Sequence, residues 1–199
     1  MSAMSKLKIG AIAGIATPVL AFSCILGAIA TYPQFSWTDN ALSDLGVVWG
    51  TTASLFNIGL SVSGVMGIIF ALLGLYIYMG GHRLGRIGAG FFAAATVALL
   101  CIGIFNESIR PIHYIVSVAF FSLAPIALFI LTYTLYISGR RGLATFSVVA
   151  GLVAGIPWIL QLTINYVPKV AIPEFISAVA ISVWAVTLSV QMLRQRAST

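Results

Sequence analysis

The chain has 199 residues, 60% of them hydrophobic and 7% charged, against the ~45–50% apolar and ~25% charged residues of soluble domains, so a water-soluble globule is excluded. At roughly 20 apolar residues per crossing, six membrane crossings consume most of the chain and leave no room for a separate soluble domain. The net charge of +6 needs no nucleic acid, because a basic rim facing anionic lipid headgroups accounts for it.

Six apolar runs are predicted as helices at about 9–31, 52–79, 84–105, 112–137, 143–167 and 172–193. Each exceeds the length that ~30 Å of hydrocarbon requires, and none alternates as barrel strands do. The first run follows Lys6 and Lys8 and ends near Ala28-Ile29-Ala30, which invites comparison with a secretion signal. A signal's apolar region is about 7–15 residues, whereas this one is long enough to span. Between the first two runs lies the one long loop, where Ser36 and Asp39 are spaced as a capping box for a short interfacial helix through Trp37, Leu42 and Leu45.

The second run carries Ser54, Asn57, Ser61 and Gly64 on one helical face. Asn57 lies about 8 Å inside the helix start, where lipid cannot satisfy its amide, so it faces the bundle. Gly80 to Arg83 breaks the chain before the third run, and Asn106 to Pro111 breaks it before the fourth, which opens with His113 and Ser117 at i, i+4. The fifth ends on Gln161 and Asn165 at the same spacing, and the sixth opens with Glu174 after Pro173, where a carboxylate suits the positive end of a helix. Pro18, Pro125 and Pro157 fall in mid-span and free carbonyls. Cys24 and Cys101 fall inside spans and read as small packing residues.

Lys6, Lys8, Arg83, Arg86, Arg140, Arg141, Arg194 and Arg196 fall on one side of this six-span scheme, and only Arg110 and Lys169 on the other. Basic residues are retained on the cytoplasmic side, so both termini are expected there, in a multi-pass protein of the cell membrane. The four acids, Asp39, Asp44, Glu107 and Glu174, all map to the opposite, outward end, with His113. With Asn57, Ser61, Arg110, Ser117, Gln161 and Asn165 beside them, these residues define an expected outer polar cavity. The structural alternative is that such polar residues are interhelical glue worth roughly 0.6–2 kcal/mol each, and that Gly10, Gly14, Gly151 and Gly155 simply admit close packing. Small-residue faces of this kind would also serve a homo-oligomer.

Ala41-Leu42-Ser43-Asp44-Leu45-Gly46, Gly103-Ile104-Phe105-Asn106-Glu107, His113-Tyr114 and Pro173-Glu174, in that order among six spans, resemble the membrane family known as domain of unknown function 998. The likeness covers the whole chain. It implies a prokaryotic six-helix membrane protein without an assigned activity, and it picks out Asp44, Glu107, His113 and Glu174, the group already assembled from the residues.

The expectation is therefore an all-α protein, a single six-helix transmembrane domain over 1–199, with two functional readings left open. In the first, His113 and the carboxylates Glu107, Asp44 and Glu174 act as general acid and base in hydrolysis or headgroup transfer on a membrane lipid. Ser43 or Ser117 is then available as nucleophile, though no elbow motif surrounds either. In the second, the cavity binds or senses a lipid or small ligand without turnover. No cofactor is required by the sequence; one histidine with three carboxylates would suit a hard divalent ion better than zinc. Ion-coupled transport is disfavoured, since no ionisable residue lies near mid-membrane.

Overall fold

The computed structural model describes residues 2–197, with side chains through Arg194; the side chain of Arg196 lies outside the described residues. Six long helices follow one another: α1 Ala3–Ala30, α2 Thr51–Tyr78, α3 Arg83–Ile104, α4 Ile112–Ile137, α5 Arg141–Ile164 and α6 Ala171–Ala197. All six are long and apolar enough to cross a membrane, and no strand occurs among the described residues. The chain is an all-α, multi-pass membrane protein.

Helix ends follow local chemistry. α1 starts six residues before the apolar run because Ser2 caps it, accepting the Ser5 N–H at 3.2 Å. α5 stops three residues short of the predicted 167, because Asn165 turns left-handed at φ 46°, ψ 55° and returns its N–H to the Gln161 carbonyl.

The short interfacial helix expected from Ser36 and Asp39 is replaced. The Ser36 hydroxyl donates to Asp39 Oδ2 at 2.6 Å and accepts the Asp39 N–H at 3.3 Å, yet this pair closes only a turn. The carbonyls that a continuing helix would use are taken: Thr38 O accepts the Lys169 N–H and Asn40 O the Ala171 N–H, each at 3.0 Å. Helical structure begins instead as a 3-10 turn at Leu42–Val47.

Successive helices pack side by side, and α6 returns to α1, closing the bundle. α1 crosses α2 at Gly10 and Gly74, where a Cβ on Gly10 would lie 2.2 Å from the Gly74 nitrogen; α2 has a π-helical segment, Phe70–Leu75, at this crossing. Gly14 fits against Phe70 and Ser189, and Gly151 against Phe129, so these small-residue faces meet partners within the chain. At the centre, the fully buried Trp184 packs on Phe92 and Phe70 with ring centroids 5.3 and 6.4 Å apart. Its indole N–H donates to Ser147 Oγ at 2.7 Å, and Ser177 Oγ donates to the Ala154 carbonyl at 2.7 Å, which ties α6 to α5. Such interhelical bonds contribute roughly 0.6–2 kcal/mol.

The two ends differ in charge. One carries the basic turns, where Arg140 lies 4.2 Å over the Tyr78 ring and Arg86 lies 5.5 Å over Tyr76. The other, hereafter the loop end, carries the 31–50 loop and all four acids.

Candidate functional site

The 3-10 turn at Leu42–Val47 is a plug held by side chains from three directions. Asp44 reaches back within the turn, accepting the Ala41 N–H at 3.0 Å and the Asn40 amide at 2.9 Å. From α6, Glu174 Oε2 accepts the Leu42 N–H at 2.6 Å. From α2, Asn57 donates to the Gly46 carbonyl at 2.9 Å. Ser43 Oγ points toward Glu107 Oε2 at 3.4 Å, and Glu107 Oε1 receives the Arg110 guanidinium at 2.6 Å. Asp44, Glu107 and Glu174 thus lie against one turn of chain.

The electrostatics of this corner favour a charged Asp44. Burial raises its pKa, but the hydrogen bonds from the Asn40 amide and the Ala41 N–H, together with the Lys169 charge, hold it below the ordinary carboxylate value. Glu174 is the most enclosed of the acids at 7% exposure.

His113 has a different task. Its Nδ1 lies 2.7 Å from the Phe105 carbonyl; a carbonyl only accepts, so Nδ1 carries the hydrogen. The imidazole is buried and ties the first turn of α4 to the end of α3. No group of three or more His, Cys, Asp or Glu side chains among the described residues is arranged to hold a metal ion.

The remaining residues expected at the site separate into two groups. Ser61 donates to the Asn57 carbonyl at 2.8 Å. Gln161 donates to Asn165 Oδ1 and to the Val167 carbonyl at 2.7 and 2.8 Å, closing the α5–α6 turn. Arg110 is largely exposed and serves Glu107. Ser117 alone of these lines the interior cavity.

That cavity differs in kind from the polar one expected. It has a volume of about 90 Å³, and nearly all of its wall is apolar. Leu42, Ser43 and Glu174 form its loop-end limit; Phe22, Ile25, Phe56, Leu60, Ile102, Phe120 and Phe121 form its walls, and Phe70, Phe92 and Ala185 its floor. Along α6, Glu174 to Ala185 is about 16 Å at ~1.5 Å per residue, close to half of a ~30 Å hydrocarbon core. All long helices except α5 contribute. The wall residues give no signal in sequence, because a phenylalanine beside a void and one in a filled core have the same periodicity.

Over residues 15–191 the chain matches the model of the family described as Protein of unknown function (DUF998). No curated protein and no solved structure matches it. The chain belongs to the DUF998 family.

Proposed function

We propose that this DUF998 protein binds a membrane lipid or other amphiphile, seating a short apolar segment in the interior slot near Glu174 and Ser43. The observation that carries this reading is the slot itself, lined almost wholly by apolar side chains and ending on a buried carboxylate. An apolar cavity stays dry and takes apolar guests of matching size, benzene in a cavity of about 150 Å³, so one of about 90 Å³ admits a short apolar segment. The basic turns favour a cytoplasmic side for the termini, and with that orientation the slot lies in the outward half of the bundle.

Binding is favoured over hydrolysis because the acid–base groups are engaged by the fold. Glu174 and Asp44 accept backbone N–H groups, Glu107 is paired with Arg110, and His113 Nδ1 is spent on a carbonyl. A hydrolytic base needs reach to a reacting atom, and His113, the one imidazole of the group, does not line the slot.

Native mass spectrometry of protein extracted in mild detergent tests the reading. One lipid retained per chain, lost on exhaustive delipidation and regained on adding back the lipid extract, is the expected result. A delipidated chain that takes up no lipid while keeping its melting transition would sink the proposal.

A further inference from the structure

The end of the bundle opposite the loop end carries charge of one sign. All four acids lie at the loop end, and the one ion pair among the described residues, Arg110 with Glu107, is there too. The cations of the basic end therefore have no carboxylate beside them. Arg86, exposed on the first turn of α3, is held in place all the same. Its guanidinium carbon lies 5.5 Å from the centroid of the Tyr76 ring on α2, and its Nε donates to the Gly80 carbonyl at 3.1 Å. These two attachments fix the guanidinium plane at a cost in rotamer entropy, while its Nη groups bond to no described residue. Arg83, also exposed, precedes it by three residues on the same face of α3. Like charges on neighbouring positions of one helix face are mildly destabilising, and an anion between them removes the repulsion.

The position of the pair selects the kind of anion. Tyr76 lies near the end of the span Thr51–Tyr78, and Arg83 opens the span Arg83–Ile104. Leu72, Leu84 and Ile87, on the same two helices, are exposed and apolar, and Tyr76 is 44% exposed. A tyrosine and an arginine at the end of an apolar span sit at the level of the lipid headgroups. The phosphate within reach there is that of a phospholipid.

We infer that Arg83 and Arg86, the latter braced on Tyr76, form a headgroup site at the α2–α3 turn that takes the phosphate of an anionic phospholipid from the leaflet at the basic end. Arg86 donates from both Nη groups to phosphate oxygens, the bidentate match of guanidinium and phosphate, and Arg83 adds its charge. A zwitterionic lipid carries its own cation beside the phosphate and gains less. The site is separate from the interior slot, which neither arginine lines.

Delipidated protein in a non-ionic detergent is titrated with phosphatidylglycerol and, separately, with phosphatidylcholine of the same chains, and native mass spectrometry counts the lipid bound. A neutral micelle has no surface potential of its own, and any uptake of chains by the slot is common to both lipids. The parent is expected to take its first phosphatidylglycerol at about tenfold lower concentration than phosphatidylcholine, and Arg86→Gln to lose about fivefold of that preference, the worth of one cation at a membrane surface. Arg86→Lys keeps the charge without the planar fork, and Tyr76→Leu keeps every charge without the brace. Both are expected to weaken phosphatidylglycerol and to leave phosphatidylcholine unchanged. Lys6→Gln removes an exposed charge from α1 at the same end and is expected to alter the preference by less than about twofold in physiological salt. If Lys6→Gln costs as much as Arg86→Gln, or Arg86→Lys binds as the parent does, diffuse charge suffices and the headgroup site is overturned. A parent that binds the two lipids alike overturns it as well. Glycerol phosphate, the same head without chains, is expected not to displace the lipid at millimolar concentration; displacement would make this a site for soluble phosphates and overturn the lipid assignment. The slot is tested apart from all of these outcomes, by whether the chain takes up any lipid at all.

Discussion

The Glu174 carboxylate accepts the Leu42 N–H at 2.6 Å across 132 residues of chain, in a buried setting. The first turn of α6 and the plug at Leu42–Val47 are therefore one mechanical unit, and the bond closes the loop end of the slot. Glu174→Ala strands a buried N–H and is expected to cost about 1–3 kcal/mol. Glu174→Gln retains an oxygen at the same reach and should recover most of that loss. Thermal unfolding in mild detergent reads both variants, and faster amide exchange at Leu42 in the alanine variant localises the effect. Equal losses for the two substitutions would show that the hydrogen bond is not what holds the plug.

Asp44 gives the loop end a dependence on acid. Its folded pKa is depressed, since its hydrogen bonds and the Lys169 charge outweigh burial. The stability it contributes is fully present above the ordinary carboxylate value of ~3.9 and is lost as the pH falls through the lower folded value. Asp44→Ala also removes the acceptor of the Ala41 N–H and is expected to cost about 0.5–2 kcal/mol at pH 7, in the range of a lost helix cap. The gap between the variant and the parent should narrow below about pH 4. Melting curves at pH 7 and pH 3 that differ by the same amount would contradict this account.

His113 divides binding from hydrolysis. With Nδ1 donating to the Phe105 carbonyl at 2.7 Å, His113→Ala removes a tie between α3 and α4 and is expected to lower stability by about 1–3 kcal/mol while leaving lipid in the slot, whose walls do not include it. A variant that melts like the parent but stops consuming an added lipid would instead restore the catalytic reading.

The spans were legible in sequence because the bilayer imposes one demand, that every backbone group be satisfied within its own segment, and apolar length meets it. Misplaced boundaries trace to single residues that length does not register, namely the Ser2 cap and the left-handed Asn165. Asp44, Glu107 and Glu174 could be grouped because a six-helix scheme puts their turns at one end, but the target of each bond could not. Glu174 at the start of α6 suits the helix dipole in sequence, and only the fold shows it reaching Leu42. Asn57, Ser61, Gln161 and Asn165 marked polar faces correctly, yet their partners are carbonyls and amides of nearby turns rather than a cavity. The slot left no trace because emptiness is a property of packing across five helices.

Filling the slot separates its role in folding from its role in binding. Ala178 lines it on α6 beside Glu174 and is only partly buried, so Ala178→Phe directs a ring into open space. Overpacking a full core costs about 1–3 kcal/mol, but here the ring replaces a void, so the delipidated variant is expected to melt at or above the delipidated parent. Lipid present at about 100 times its Kd stabilises a protein that binds it by ~2.7 kcal/mol, and the variant should lose that increment because the chain's place is taken. The measurement is the difference in melting temperature with and without added lipid, for parent and variant in the same detergent. A variant that keeps the full lipid-induced shift would show that the lipid binds elsewhere, and one that melts well below the parent would show that the space is already occupied by protein.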